Sequence, residues 1–223
     1  MNLIGIVILV TSVAIGAILR SKLARYAHTR LRADFSGAEV AAAMLQAHGL
    51  NDVHITRTRG QLTDHYNPLT KTVNLSDQVY HGNNAAAAAI AAHECGHAVQ
   101  HAHGYAFLRF RSAMVPVLSV TSHLVPWIIM LGILLVHMTL IPLVTAVVLF
   151  ALTTLFSFVT LPVEFDASRR ALAWMDNQGV VTSQEHQMAK DALWWAAMTY
   201  VVAALGSLAE LIRLIHIVNR SKR

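Results

Sequence analysis

His93, Glu94 and His97 are spaced H-E-x-x-H within His93-Glu94-Cys95-Gly96-His97. On an α-helix four residues rise about 6 Å and return nearly to the same face. Both imidazoles can then aim at one metal ion, while Glu94, one step round, can reach a water on it. That is the layout of a zinc hydrolase. The pattern fixes only three positions, and 13 histidines make accidental matches easier, so the rest of the chain must supply a third ligand and a scaffold.

A catalytic zinc takes three protein ligands and keeps one position for water. His101 lies on the same face as His97, but a straight helix puts it about 12 Å from His93, too far to share an ion. His103 has the spacing of H-E-x-x-H-x-x-G-x-x-H, yet Gln100 stands where that pattern turns on a glycine, and no Met-turn follows. Glu164 lies in Leu161-Pro162-Val163-Glu164-Phe165-Asp166-Ala167-Ser168, directly after an apolar stretch. It reads either as an interfacial acid or as a ligand presented by a helix starting near it, with Pro162 fixing the exit. His103 and Glu164 both stay open on the residues alone. Cys95 is the single cysteine, so no internal disulfide can form, and its place off the histidine face suits a small buried filler.

The elements that must position these groups are membrane elements. Of the 223 residues 55% are hydrophobic and only 13% charged, against about 25% charged in soluble domains. Residues 112–163 contain no Asp, Glu, Lys or Arg, enough for two crossings at about 20 residues each. A hairpin near His137-Met138-Thr139 would join them. Residues 3–19 and 192–209 are two further apolar runs; no Lys or Arg precedes the first, which reads as an uncleaved anchor. Trp194, Trp195 and Tyr200 in the other fit an interfacial belt.

The expected fold is therefore a mainly α-helical multi-pass membrane protein. Its four transmembrane helices fall in residues 1–20, 114–137, 138–161 and 192–223, the last with a basic C-terminus. A split zincin-like catalytic domain with a small β-sheet or hairpin occupies residues 21–113 and a third-ligand helical segment at residues 162–191. Arg20, Lys22, Arg25, Arg30, Arg32, Arg109, Arg111, Arg169, Arg170 and Lys190 would share one face, which the positive-inside rule makes cytoplasmic. Arg213, Arg220, Lys222 and Arg223 would lie opposite if the fourth segment crosses fully. The flanks account for the basic pI of about 9.7, and no basic stripe interleaved with aromatics points to nucleic acid.

Locally, Ser36 and Glu39 form a capping box that opens a helix ending before Gly49. Alternation at Val53 and Ile55, at Leu62-Thr63 and from Lys71 to Leu75 predicts two or three short antiparallel strands, with irregular chain at Asp64-His65-Tyr66-Asn67-Pro68. Asn84 can cap a helix running through the alanines and the motif to about His103, with Gly104 as stop. Thr182 and Glu185 offer a second capping box, opening a helix into the fourth span.

The pieces Leu62-Thr63-Asp64-His65-Tyr66, Ala91-Ala92-His93-Glu94-Cys95-Gly96-His97-Ala98-Val99-Gln100-His101 and Leu161-Pro162-Val163-Glu164-Phe165-Asp166-Ala167-Ser168 resemble the YugP-like neutral zinc metallopeptidases, a bacterial membrane family. The similarity covers nearly the whole chain. It implies His93, His97 and Glu164 as ligands of Zn2+, Glu94 as catalytic base, and a place in the bacterial plasma membrane. The chain is more distantly similar to HtpX-type membrane proteases, which carry an Asp four residues after the ligand glutamate. Ser168 stands there, so that residue's role is not implied for it, and Asp166 is the candidate substitute.

The expected reaction is hydrolysis of peptide bonds in membrane or membrane-proximal proteins. Tyr66, His65, Tyr80, Arg169 and His186 are chemically able to stabilise an oxyanion; His65 and Tyr66 are preferred because they follow a strand that could pair with substrate. Glu210 and Arg213 form a further pair, either lining a substrate path or marking the helix leaving the core. The alternative function is a non-catalytic membrane scaffold or adaptor with a structural metal site. A metal transporter would need more acids or histidines within the spans.

Overall fold

The computed structural model describes residues 3–221; Lys222 and Arg223 of the basic C-terminus lie outside the described residues. Four helices are long and apolar enough to cross a membrane: α1 (Leu3–Tyr26), α5 (Ala106–Leu134), α6 (Ile141–Asn177) and α7 (Ser183–Ser221). α6 packs between α5 and α7, and α7 also packs against α1. The molecule is a mainly helical, multi-pass membrane protein with a small sheet, as its composition implies. The α5–α6 hairpin closes where Thr139 and Pro142 stand; a Cβ on Gly132 would come within 2.9 Å of the Leu143 nitrogen, so the two helices meet there backbone to backbone.

α6 departs from the expected boundary. A helix starting afresh near Glu164 is not what forms; the 37 residues of α6 run unbroken from the third span through Pro162 into the third-ligand segment. Proline forfeits one hydrogen bond, the one residue 162 would give Phe158, and packing on both flanks holds the helix regardless.

The remaining elements form a cap on one end of the bundle: α2 (Gly37–Ala47), β1 (His54–Thr58), β2 (His65–Asn67), β3 (Thr72–Ser76), α3 (Asp77–Tyr80) and α4 (Ala85–Ala102). The expected all-antiparallel arrangement is replaced by a mixed sheet of order β1-β3-β2, with β1 parallel and β2 antiparallel to β3. β2 falls on the residues whose polarity suggested irregular chain. It is a short edge strand, so its side chains show no alternation of burial; ladder pairing of His65 with Asn74 and of Asn67 with Thr72 defines it instead. The Asn67 carboxamide accepts from the Leu69 and Thr70 N–H groups and closes the hairpin to β3.

α4 is the centre of this cap. Asn84 accepts from the Ala87 N–H at 2.9 Å to start it, and Gly104 at φ +62° ends it. The alanines are buried on all sides, against α2, β3, α6 and α7. Both capping boxes form: Ser36 with Glu39, and Thr182 with Glu185 at the start of α7.

Candidate metal centre

Gly96, inside the motif, sets how α4 meets α6. A Cβ there would fall 2.6 Å from the Ala167 carbonyl oxygen, so the two backbones touch. Ala167 is one turn beyond Glu164, and the contact brings that carboxylate over the two histidines. His93 Nε2 lies 3.2 Å and His97 Nε2 3.6 Å from Glu164 Oε2. The imidazoles meet edge-on with centroids 4.7 Å apart. One ligand atom from each residue lies within 4.8 Å of the others, making the three a group able to hold a metal ion. A four-coordinate zinc with bonds of about 2.0–2.2 Å needs ligand atoms about 3.3–3.6 Å apart. The donor set fits that ion, and the two histidine–glutamate distances fall at or near that spacing.

Each ligand is oriented from behind. The Gln100 amide nitrogen donates to the Val163 carbonyl at 2.8 Å and to Asp166 at 2.9 Å, which fixes its oxygen toward His97. His97 Nδ1 must therefore be protonated to donate to Gln100 Oε1 at 3.0 Å, and its Nε2 lone pair faces the metal position. Ser168 Oγ sits 3.1 Å from His93 Nδ1. Arg111 donates to Glu164 Oε1 at 3.0 Å, leaving Oε2 for the cation. The hydroxyl of Ser168 thus occupies the position from which a carboxylate would steady His93, and Asp166 acts on His97 through Gln100.

Glu94 is buried beside this group and accepts from the Tyr66 backbone N–H at 3.0 Å. Burial lifts its carboxyl to about 7. A group poised there can take and return a proton near neutral pH.

Other candidates fall elsewhere. His101 bonds the Tyr66 hydroxyl at 2.8 Å, and His103 caps α4; neither joins the metal group. Cys95 is buried, with its thiol against the Ala41 carbonyl at 3.6 Å. Tyr80 packs against His81, Arg169 pairs with Asp166, and His186 lies 3.7 Å from Asp176. His65 and Tyr66 line the cavity over the metal group, with His65 Nδ1 2.8 Å from the Thr63 carbonyl oxygen. Glu210 and Arg213 pair beside the start of α1, in a separate small cavity. Sequence reasoning assigned no such place to Arg111, Gln100 or Tyr200. Arg111 read only as a positive flank and Tyr200 only as a belt aromatic; Gln100 drew notice merely as the residue standing where glycine was needed.

The fold and this geometry agree with what the chain resembles. A model of the family described as "Putative neutral zinc metallopeptidase" matches residues 1–219. The chain belongs to this family. A relative from Bacillus subtilis, described as "Putative membrane protease YugP", is 39% identical over 199 residues, covering 89% of this chain and 88% of the relative. No solved structure matches the chain. Family membership gives the metal group its natural occupant, zinc, and the His, His, carboxylate set is one that zinc accepts.

Proposed function

We propose that the protein is a membrane-embedded zinc endopeptidase that hydrolyses membrane or membrane-proximal proteins, with His93, His97 and Glu164 as metal ligands and Glu94 as general base. The observation that carries this reading is the convergence of two Nε2 atoms and one carboxylate oxygen beneath an open cavity, with a buried carboxylate alongside. Among the described residues the metal group has three members; a structural zinc is normally closed by four.

Zinc, when bound, supplies Lewis acidity to water and to the scissile carbonyl. Glu94 takes one proton from the attacking water. The water oxygen joins the carbonyl carbon, the peptide C–N bond breaks, and Glu94 returns the proton to the departing nitrogen. The Tyr66 N–H holds Glu94 in place for both transfers. His65 and Tyr66 remain the proposed substrate or oxyanion contacts. The Lys and Arg distribution supports a site on the cytoplasmic side of a bacterial plasma membrane.

The test pairs metal analysis with proteolysis. Purified protein should hold about one zinc per chain, and Glu94→Gln should keep it while losing cleavage by about 1000-fold or more. Glu94→Gln that keeps full cellular function would instead favour the scaffold.

A further inference from the structure

Three cavities meet at the metal centre. The central one, about 250 Å³, is lined by His93, Glu94 and Glu164. It shares Asp64 with both others, Tyr200 with the second and Leu23 and Leu62 with the third. Together they adjoin one another around the candidate catalytic group, sharing walls at the junction.

The two arms differ in where they lie along the helices. One, about 590 Å³, runs between β2 and α5 and is lined by Leu69, Val115, Pro116 and Ser119. The α5 residues lie beyond Arg111, the last charge before the uncharged stretch; Ser119 is about 12 Å along the helix from it. Leu69 stands at the hairpin tip, 93% exposed. This arm lies against the part of α5 that is apolar enough to cross a membrane. The other, about 600 Å³, is lined by Arg20, His28, Gln61, Gln78 and Asn84. Its α1 residues lie past the apolar run that ends at residue 19. This arm opens into water.

The wall of the cleft has a direction. Gln61 lines the aqueous arm, Leu62 the aqueous arm and the junction, Asp64 all three cavities, and His65 to Leu69 only the bilayer arm. The chain thus runs from water to lipid. β2 is an edge strand, and its Tyr66 N–H is taken up by Glu94, which lays this edge directly beside the candidate catalytic group. An extended peptide added to such an edge gains a ladder most readily in the antiparallel sense. It must then run from lipid to water.

We propose that the preferred substrate enters with an apolar, membrane-inserted segment on the N-terminal side of the scissile bond and a polar segment on its C-terminal side. The enzyme is then selective for chains that leave the bilayer C-terminally on the face of Arg20 and Arg111. This polarity rests on the endopeptidase reading above and adds to it a substrate orientation.

The test uses full-length, zinc-loaded protein in nanodiscs and two single-span substrates with the same span and the same polar tail. In one the tail follows the span; in the other it precedes it. Both tails lie on the catalytic face. Mass spectrometry of the products should show cleavage in the first residues after the span of the first substrate, at least about tenfold faster than any cut in the second. Equal rates or the opposite preference overturn the polarity while leaving the peptidase reading intact. No cleavage of either substrate, or of an unfolded soluble polypeptide, overturns both. As a second readout, photo-crosslinkers at Leu69 and Gln78 in Glu94→Gln protein should capture substrate residues before and after the scissile bond respectively. Capture in the reverse order overturns the proposal.

Discussion

At the residue scale, Gln100 departs most from what spacing suggests. Where one zincin pattern turns on glycine, this chain has a buried glutamine whose three hydrogen bonds tie His97 to α6. Gln100→Leu removes the Nδ1 acceptor that sets the His97 tautomer, and zinc affinity should fall about 10–100-fold in competition with a fluorescent chelator. Ser168→Ala leaves His93 free to turn and should cost toward the lower end of that range. Wild-type affinity in both variants would show that the ligands are held by packing alone. The grouping of His93 and His97 with Glu94 alongside was legible because H-E-x-x-H compresses their geometry into five residues of helix. Gln100, Arg111 and Ser168 were not, because each acts across contacts between helices distant in sequence, which no spacing rule encodes.

At the element scale, the approach of α4 to α6 depends on the missing side chain at residue 96. Gly96→Ala forces a methyl group onto the Ala167 carbonyl. Overpacking of this kind should cost about 1–3 kcal/mol and move Glu164 off the histidines; thermal unfolding and zinc content should fall together. The caps give a milder test. Ser36→Ala should lower stability by about 1 kcal/mol, read from denaturation. The Ser36 hydroxyl and backbone N–H hold the Glu39 carboxyl below its ordinary value. Its contribution is therefore present above the normal carboxylate range and is lost as pH falls through the lowered value, a dependence that Ser36→Ala should flatten. Helix starts were readable from Ser36, Asn84 and Thr182 because a cap is local chemistry. The strand order was not, since β1 finds β3 rather than its sequence neighbour. Nor was the continuity of α6, because proline argues for a break that tertiary packing overrides.

At the scale of the whole molecule, four long apolar helices carry a cap at one end, and the helices were legible from the apolar runs at residues 3–19, 112–163 and 192–209. Its orientation can be measured directly. Cys95 is buried, so a cysteine introduced at Thr139 or at Asp52 is the accessible thiol in its variant. An impermeant maleimide added to intact cells should label Thr139→Cys and spare Asp52→Cys; the reverse pattern would invert the topology. The unbroken course of α6 has a mechanical consequence. One rod about 55 Å long meets α5 backbone to backbone at Leu143 near one end and bears Glu164 toward the other. The Gly96–Ala167 contact and the Gln100 hydrogen bonds tie α4 to this rod, so a tilt of it carries the histidines and the carboxylate together. A force on the far end of the rod would thus move the metal group as one piece rather than pull its members apart.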